Sequence, residues 1–109
     1  MSDDPTGGAI RAGAAQMAAE AVGFFQELVR TPSLSGREGE VIALIRDRMT
    51  SLAFDEVRID PFGNVLGRIG AGPRTLAFDA HVDTVGVGDR RLWSVDPFGG
   101  EIRDGVLYG

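Results

Sequence analysis

The chain has 109 residues, enough for one small domain, with 43% hydrophobic and 25% charged residues, as in ordinary soluble globular proteins. Sixteen acidic against eleven basic residues give a net charge of −5, and the absence of a basic cluster argues against nucleic acid and against docking on anionic membranes. There is no cysteine, so disulfides and thiolate metal sites are excluded and any metal falls to His, Asp and Glu.

Residues 1–13 are rich in Asp, Gly, Pro and Thr and are expected to form a disordered tail, with a folded domain over 14–109. No basic region followed by an apolar run marks a signal peptide, and no stretch approaches the ~18 apolar residues of a membrane span, so a cytoplasmic protein is expected. From Ala14 the pattern is helical: Met17, Ala21, Phe24, Phe25 and Leu28 recur at three- and four-residue steps. Thr31-Pro32 ends this helix, because a residue before proline is pushed out of the α region. Ser35 and Glu38 have the spacing of a capping box opening a second helix, whose apolar stripe is Val41, Ile42, Ile45, Met49 and Leu52.

From Phe54 the period changes. Phe54 to Asp60 reads as a strand, Pro61-Phe62-Gly63-Asn64 as a turn, and Val65 to Ile69 as its returning partner. Thr75 to Ala80 is expected as a third strand, with Leu76, Phe78 and Ala80 on one face. Asp104-Gly105, between Glu101-Ile102-Arg103 and Val106-Leu107-Tyr108, is a strong hairpin signal. The fold class is therefore α/β: two helices followed by strands and a hairpin, with no final helix to cover the sheet, as in a truncated domain.

The chemistry-bearing segment is Asp79-Ala80-His81-Val82-Asp83-Thr84-Val85, which holds the only histidine. Residues two apart in an extended segment point to the same side, so His81 and Asp83 can face one pocket at a strand end, where open α/β sheets place their ligands. A neutral imidazole that binds a metal through one nitrogen needs an acceptor for its other N–H, and Asp83 is spaced to provide it. A lone histidine at a strand end is more often structural than a ligand, so the spacing alone is a weak signal.

Trp93 and Phe98 read as anchors of the loop between His81 and the hairpin in preference to a substrate pocket. Gly86-Val87-Gly88 lacks the lysine and the strand–loop–helix setting of a phosphate loop and reads as a turn. Arg90-Arg91 reads as a solvated pair in preference to a carboxylate clamp. Ser35, Ser51 and Ser94 have no histidine to activate them as nucleophiles.

The run Thr75–Val85 resembles the zinc-ligand motif of the M20 metallopeptidase and amidohydrolase family, an apolar strand leading into G/A-H-x-D-T-V. Leu92–Gly100 is similar to that family's W-[ST]-x-x-P-F segment, and Ile102–Gly109 to its I-x-D-G-x-L-Y-G. Thr31-Pro32-Ser33 and Asp60–Asn64 match in the same order, so the resemblance runs from about Phe24 to Gly109.

The resemblance implies the N-terminal fragment of a catalytic α/β domain that in the parent carries a second, smaller lid and dimerisation domain. It implies a dizinc hydrolase, with cobalt or manganese as alternative metals, acting on the amide bond of N-acyl amino acids or peptides, and a homodimeric parent. His81 matches the first zinc ligand and Asp83 the catalytic-site aspartate that orients it. Acetylornithine deacetylases, succinyl-diaminopimelate desuccinylases, carboxypeptidases and selenium-metabolism-linked hydrolases all fit, the wording of 79–85 leaning to the last. The family's bridging Asp, its Glu pair and its last His have no counterpart before Gly109, so the 109-residue chain alone is expected to be inactive and not to hold zinc tightly. The competing reading is a non-catalytic remnant or interaction module of the same fold.

Overall fold

A computed structural model describes residues 4–109. Its elements are α1 (Pro5–Arg30), α2 (Gly39–Ser51), β1 (Glu56–Ile59), β2 (Val65–Arg68), a 3₁₀ turn (Arg90–Leu92), β3 (Glu101–Arg103) and β4 (Val106–Tyr108). Two helices followed by small antiparallel strand pairs make this an α/β chain, as the sequence patterns indicate. No helix among the described residues is long and apolar enough to cross a membrane.

The chain divides into two compact units: α1 with Ser94–Gly109, and Thr31–Trp93. In the first, α1 starts at Pro5, well ahead of the Ala14 start expected from apolar periodicity. Local capping explains the difference. The Asp4 carboxylate accepts from the Thr6 N–H at 3.0 Å, and proline is preorganised for the first helical position. Of the tail expected over 1–13, residues 1–3 lie outside the described residues.

At the other end of α1, Gln26 Nε2 donates to the Gly100 carbonyl at 2.7 Å and Arg30 Nε to the Gly99 carbonyl at 2.9 Å. These bonds seat the β3–β4 hairpin, whose register pairs Glu101 with Tyr108 and Arg103 with Val106. Asp104 (φ 50°) and Gly105 (φ 76°) turn it, the paired left-handed conformation that a two-residue loop requires. Val95 is buried in this unit, while Met17 and Phe25 on the expected α1 stripe stay half exposed.

In the second unit α2 lies on the β1–β2 hairpin. Val41 is buried, and Ile42, Ile45 and Met49 are half-buried beside it; Leu52, beyond the last helical turn, is exposed. Gly67 on β2 lets the helix and the Phe54 ring approach: a Cβ there would lie 2.7 Å from Met49 Sδ and 2.7 Å from Phe54 Cδ2. Gly67→Ala is therefore expected to cost about 1–2 kcal/mol, the low side of overpacking because a methionine side chain can yield. Urea denaturation followed by circular dichroism checks it; an unchanged midpoint would refute the close contact.

The β1–β2 turn is organised by Asp60. Its Oδ1 accepts from the Phe62 and Asn64 N–H groups, each at 2.9 Å, and its Oδ2 from Asn64 Nδ2 at 2.9 Å. The Asn64 side chain foremost holds the Asp60 carboxyl below the usual aspartate range; desolvation opposes it, and the two backbone donors and the nearby Arg58 add smaller lowering effects. A depressed folded-state value means this contribution is present above the ordinary carboxylate pKa and is lost as pH falls through the folded value. Asn64→Ala should flatten the acid limb of a melting-temperature profile, and superimposable profiles would count against the turn as described.

Two expectations are corrected here. Thr75–Ala80 forms no strand or ladder, and Leu76 and Phe78 are 86% and 95% exposed. A strand exists only through a partner's backbone groups, and among the described residues none pairs with this segment. The capping box is also absent. Glu38 occupies the cap position of α2 without a side-chain cap bond, its Oε1 accepting from Gly36 N–H at 2.8 Å, and the Ser35 hydroxyl is engaged elsewhere.

Candidate metal centre

The candidate site is built where the loop after α1 runs beside the segment Val82–Thr84. Ser33, 3% exposed, joins the two through both of its polar groups. Its hydroxyl donates to the Val82 carbonyl at 2.9 Å, and its own carbonyl accepts from the Thr84 N–H at 2.9 Å. Leu34 and Thr84 form a single parallel bridge. The backbone on either side of Asp83 is thereby fixed to a loop almost fifty residues earlier in the chain.

On this frame Ser35 Oγ donates to Asp83 Oδ2 at 2.6 Å. The other carboxylate oxygen, Oδ1, lies 3.1 Å from His81 Nδ1, and the Asp83 carbonyl lies 3.0 Å from the same nitrogen. Both oxygens facing Nδ1 are acceptors, so Nδ1 carries the proton and Nε2 of the neutral ring presents its lone pair. The Ser35 hydroxyl first, and His81 second, hold the Asp83 carboxyl below the usual aspartate range, with desolvation opposing them. The His81 side chain is 85% exposed and that of Asp83 41%.

His81 and Asp83 thus stand together, as their spacing suggests. The donor set suits one position of a metal centre: an imidazole of fixed tautomer, with its second nitrogen available. Among the described residues no group of three or more His, Asp or Glu could hold a metal ion. Asp79 is exposed, and Asp89 is committed to Arg91, its Oδ2 accepting from Nη2 at 2.7 Å and its Oδ1 capping the 3₁₀ turn through the Arg91 N–H. Arg91 is therefore paired to its own loop. Trp93 acts as a loop anchor, Nε1 donating to the Val87 carbonyl at 2.8 Å.

Ser35 is the site residue that sequence reasoning missed. Its partner is 48 residues away, and the nearby Glu38 offered a local reading that occupied it.

No family model and no solved structure matches the chain. Curated relatives do. A protein of Escherichia coli K12 called "Uncharacterized protein YgeY" is 46% identical over 86 residues, 79% of this chain and 21% of its own length. A succinyl-diaminopimelate desuccinylase of Cereibacter sphaeroides ATCC 17025 is 41% identical over 97 residues, 85% of this chain and 26% of its own. Succinyl-diaminopimelate desuccinylase 2 of Ruegeria sp. TM1040 is 39% identical over 99 residues, 87% and 25%. The chain is similar to desuccinylases over most of its length. It spans only about a fifth to a quarter of the length of these relatives. The relatives support the M20-related reading of the motifs and single out no member of that family.

Proposed function

We propose that this chain contributes part of the catalytic centre of a metal-dependent hydrolase that cleaves the amide bond of N-acyl amino acids or peptides. His81 is a metal ligand through Nε2, and Asp83 fixes its tautomer and strengthens it as a donor. The observation that carries this reading is the engagement of His81 Nδ1 by Asp83, within a chain about 40% identical to proteins named desuccinylases. A pair of zinc ions bound there would supply a water of lowered pKa and would polarise the scissile carbonyl. The chain's own residues hold a ligand in place and keep its proton on the nitrogen that faces away from the metal.

The names of the relatives make N-succinyl amino acids the first substrate class to assay. A catalytic zinc normally has three protein ligands, and this chain offers one recognisable ligand. The remaining donors would come from polypeptide equivalent to the rest of the relatives' length. The exposed apolar residues Leu76 and Phe78 fit that reading, because such polypeptide would supply both the backbone partners and the cover that 75–80 needs to form the strand its alternation encodes.

The test uses the longest polypeptide encoded at this locus. It should release amino acid from N-succinyl and N-acetyl substrates, lose that activity on chelation and regain it with zinc. The 109-residue chain alone should neither hydrolyse these substrates nor bind zinc at micromolar concentration. Activity indifferent to chelators, or turnover by the 109-residue chain, would overturn the proposal.

A further inference from the structure

We propose that Ser35 is the positioning residue of the His81–Asp83 pair: its hydroxyl anchors the Asp83 carboxylate so that the imidazole proton stays on Nδ1 and the Nε2 lone pair stays available. The consequence for metal binding rests on the function proposed above; the hydrogen-bond relay itself does not.

A carboxylate held at one oxygen can swing about Cα–Cβ and Cβ–Cγ, and water competes for a group 41% exposed. Here both oxygens are engaged, Oδ2 by Ser35 at 2.6 Å and Oδ1 by His81 at 3.1 Å. The Ser35 contact has the short length of a charge-assisted O–H···O⁻ bond, stronger than a neutral pair. Ser35 is itself preorganised. Two residues before it, Ser33 is pinned to the backbone on both sides of Asp83 by the bonds to Val82 and Thr84. One short loop therefore fixes the aspartate twice, through its backbone and through its side chain.

The order of contacts separates this from nucleophilic catalysis. A serine nucleophile hydrogen-bonds the imidazole, which takes its proton. Ser35 instead meets the carboxylate, so its hydroxyl orients and does not attack. Nor is it committed to helix capping, since α2 has no side-chain cap bond.

The experiment records long-range ¹H–¹⁵N spectra of the 109-residue chain, labelled at its single histidine, at pH about 9 where an imidazole is neutral. The native chain should show a protonated-type Nδ1 and a lone-pair-type Nε2. Ser35→Ala should lose that separation, with Asp83 Hα–Hβ couplings passing from one rotamer to an averaged value. Ser35→Thr, which keeps the hydroxyl, should restore both. A folded Ser35→Ala chain with native histidine shifts and native Asp83 couplings would overturn the proposal, as would a native chain with its proton on Nε2. Should Ser35→Ala fail to fold, Ser35→Cys keeps the size with a weak donor, and native spectra from it would overturn the proposal equally. Failure of the zinc-dependent hydrolase assay would remove the metal reading and leave these shifts unchanged, so the two ideas fail separately.

Discussion

If the proposed metal site is right, Asp83→Asn is expected to lower the zinc affinity of the longest polypeptide encoded at this locus by about 10–100-fold, the usual consequence of removing the partner of a metal-bound histidine. The reason lies in the number of acceptors. Asp83 serves two donors at once, Ser35 Oγ at Oδ2 and His81 Nδ1–H at Oδ1. An amide offers one oxygen. If that oxygen meets Ser35, the NH₂ group faces Nδ1 and favours the tautomer with its proton on Nε2, which leaves Nε2 without a lone pair for the metal. If it meets His81, the NH₂ group faces Ser35, whose hydroxyl must turn from donor to acceptor and loses its charge-assisted bond, and the charge that strengthened the ligand is gone in either case. His81→Ala removes the ligand itself and should exceed the loss at Asp83. Competition against a zinc chelator of known affinity measures both. Native affinity in Asp83→Asn would mean that the carbonyl of residue 83, 3.0 Å from Nδ1, fixes the tautomer unaided.

Gly100→Ala should destabilise the unit formed by α1 and the β3–β4 hairpin by about 2–4 kcal/mol. Two effects add. Gly100 has φ 59°, a left-handed conformation that costs an L-residue roughly 1–2 kcal/mol. Its added Cβ would also lie 3.1 Å from the Gln26 carbonyl oxygen, a backbone atom in the last turns of α1 that cannot rotate away. The same substitution would strain the Gln26 Nε2 bond to the Gly100 carbonyl. Gly105 provides the control, since it has φ 76° and nothing within 4 Å of an added Cβ. Gly105→Ala should cost only the conformational part. Equal losses of stability in the two variants, measured by thermal denaturation, would show that the approach of Gly100 to α1 is not tight.

The sequence carried local signals well. Asp104-Gly105 and the Asp60–Asn64 turn each encode a reversal in two to five residues, and both hairpins form with the expected partners. Thr31-Pro32 ends α1 where a proline dictates, and the α2 stripe from Val41 to Met49 faces its hairpin. What failed were features whose cause lies elsewhere. The alternation of Leu76, Phe78 and Ala80 marks a strand, yet a strand needs backbone partners that the local pattern cannot supply. The start of α1 was obscured because Gly7, Gly8 and Gly13 dilute the apolar period, while Asp4 and Pro5 set the beginning.

The candidate site divides in the same way. His81 and Asp83 were legible because they are two residues apart in one segment. Ser33 and Ser35 were not, because hydrogen bonds across almost fifty residues leave no periodic trace, and a serine three places before a glutamate has a plausible local use.

The most direct measurement is anomalous diffraction at the zinc edge from crystals of the longest polypeptide encoded at this locus. A zinc peak is expected ~2.0–2.1 Å from His81 Nε2, the ordinary zinc–imidazole distance, with Asp83 still on Nδ1. Zinc bound through Nδ1, or a zinc site that leaves His81 without a metal, would contradict it.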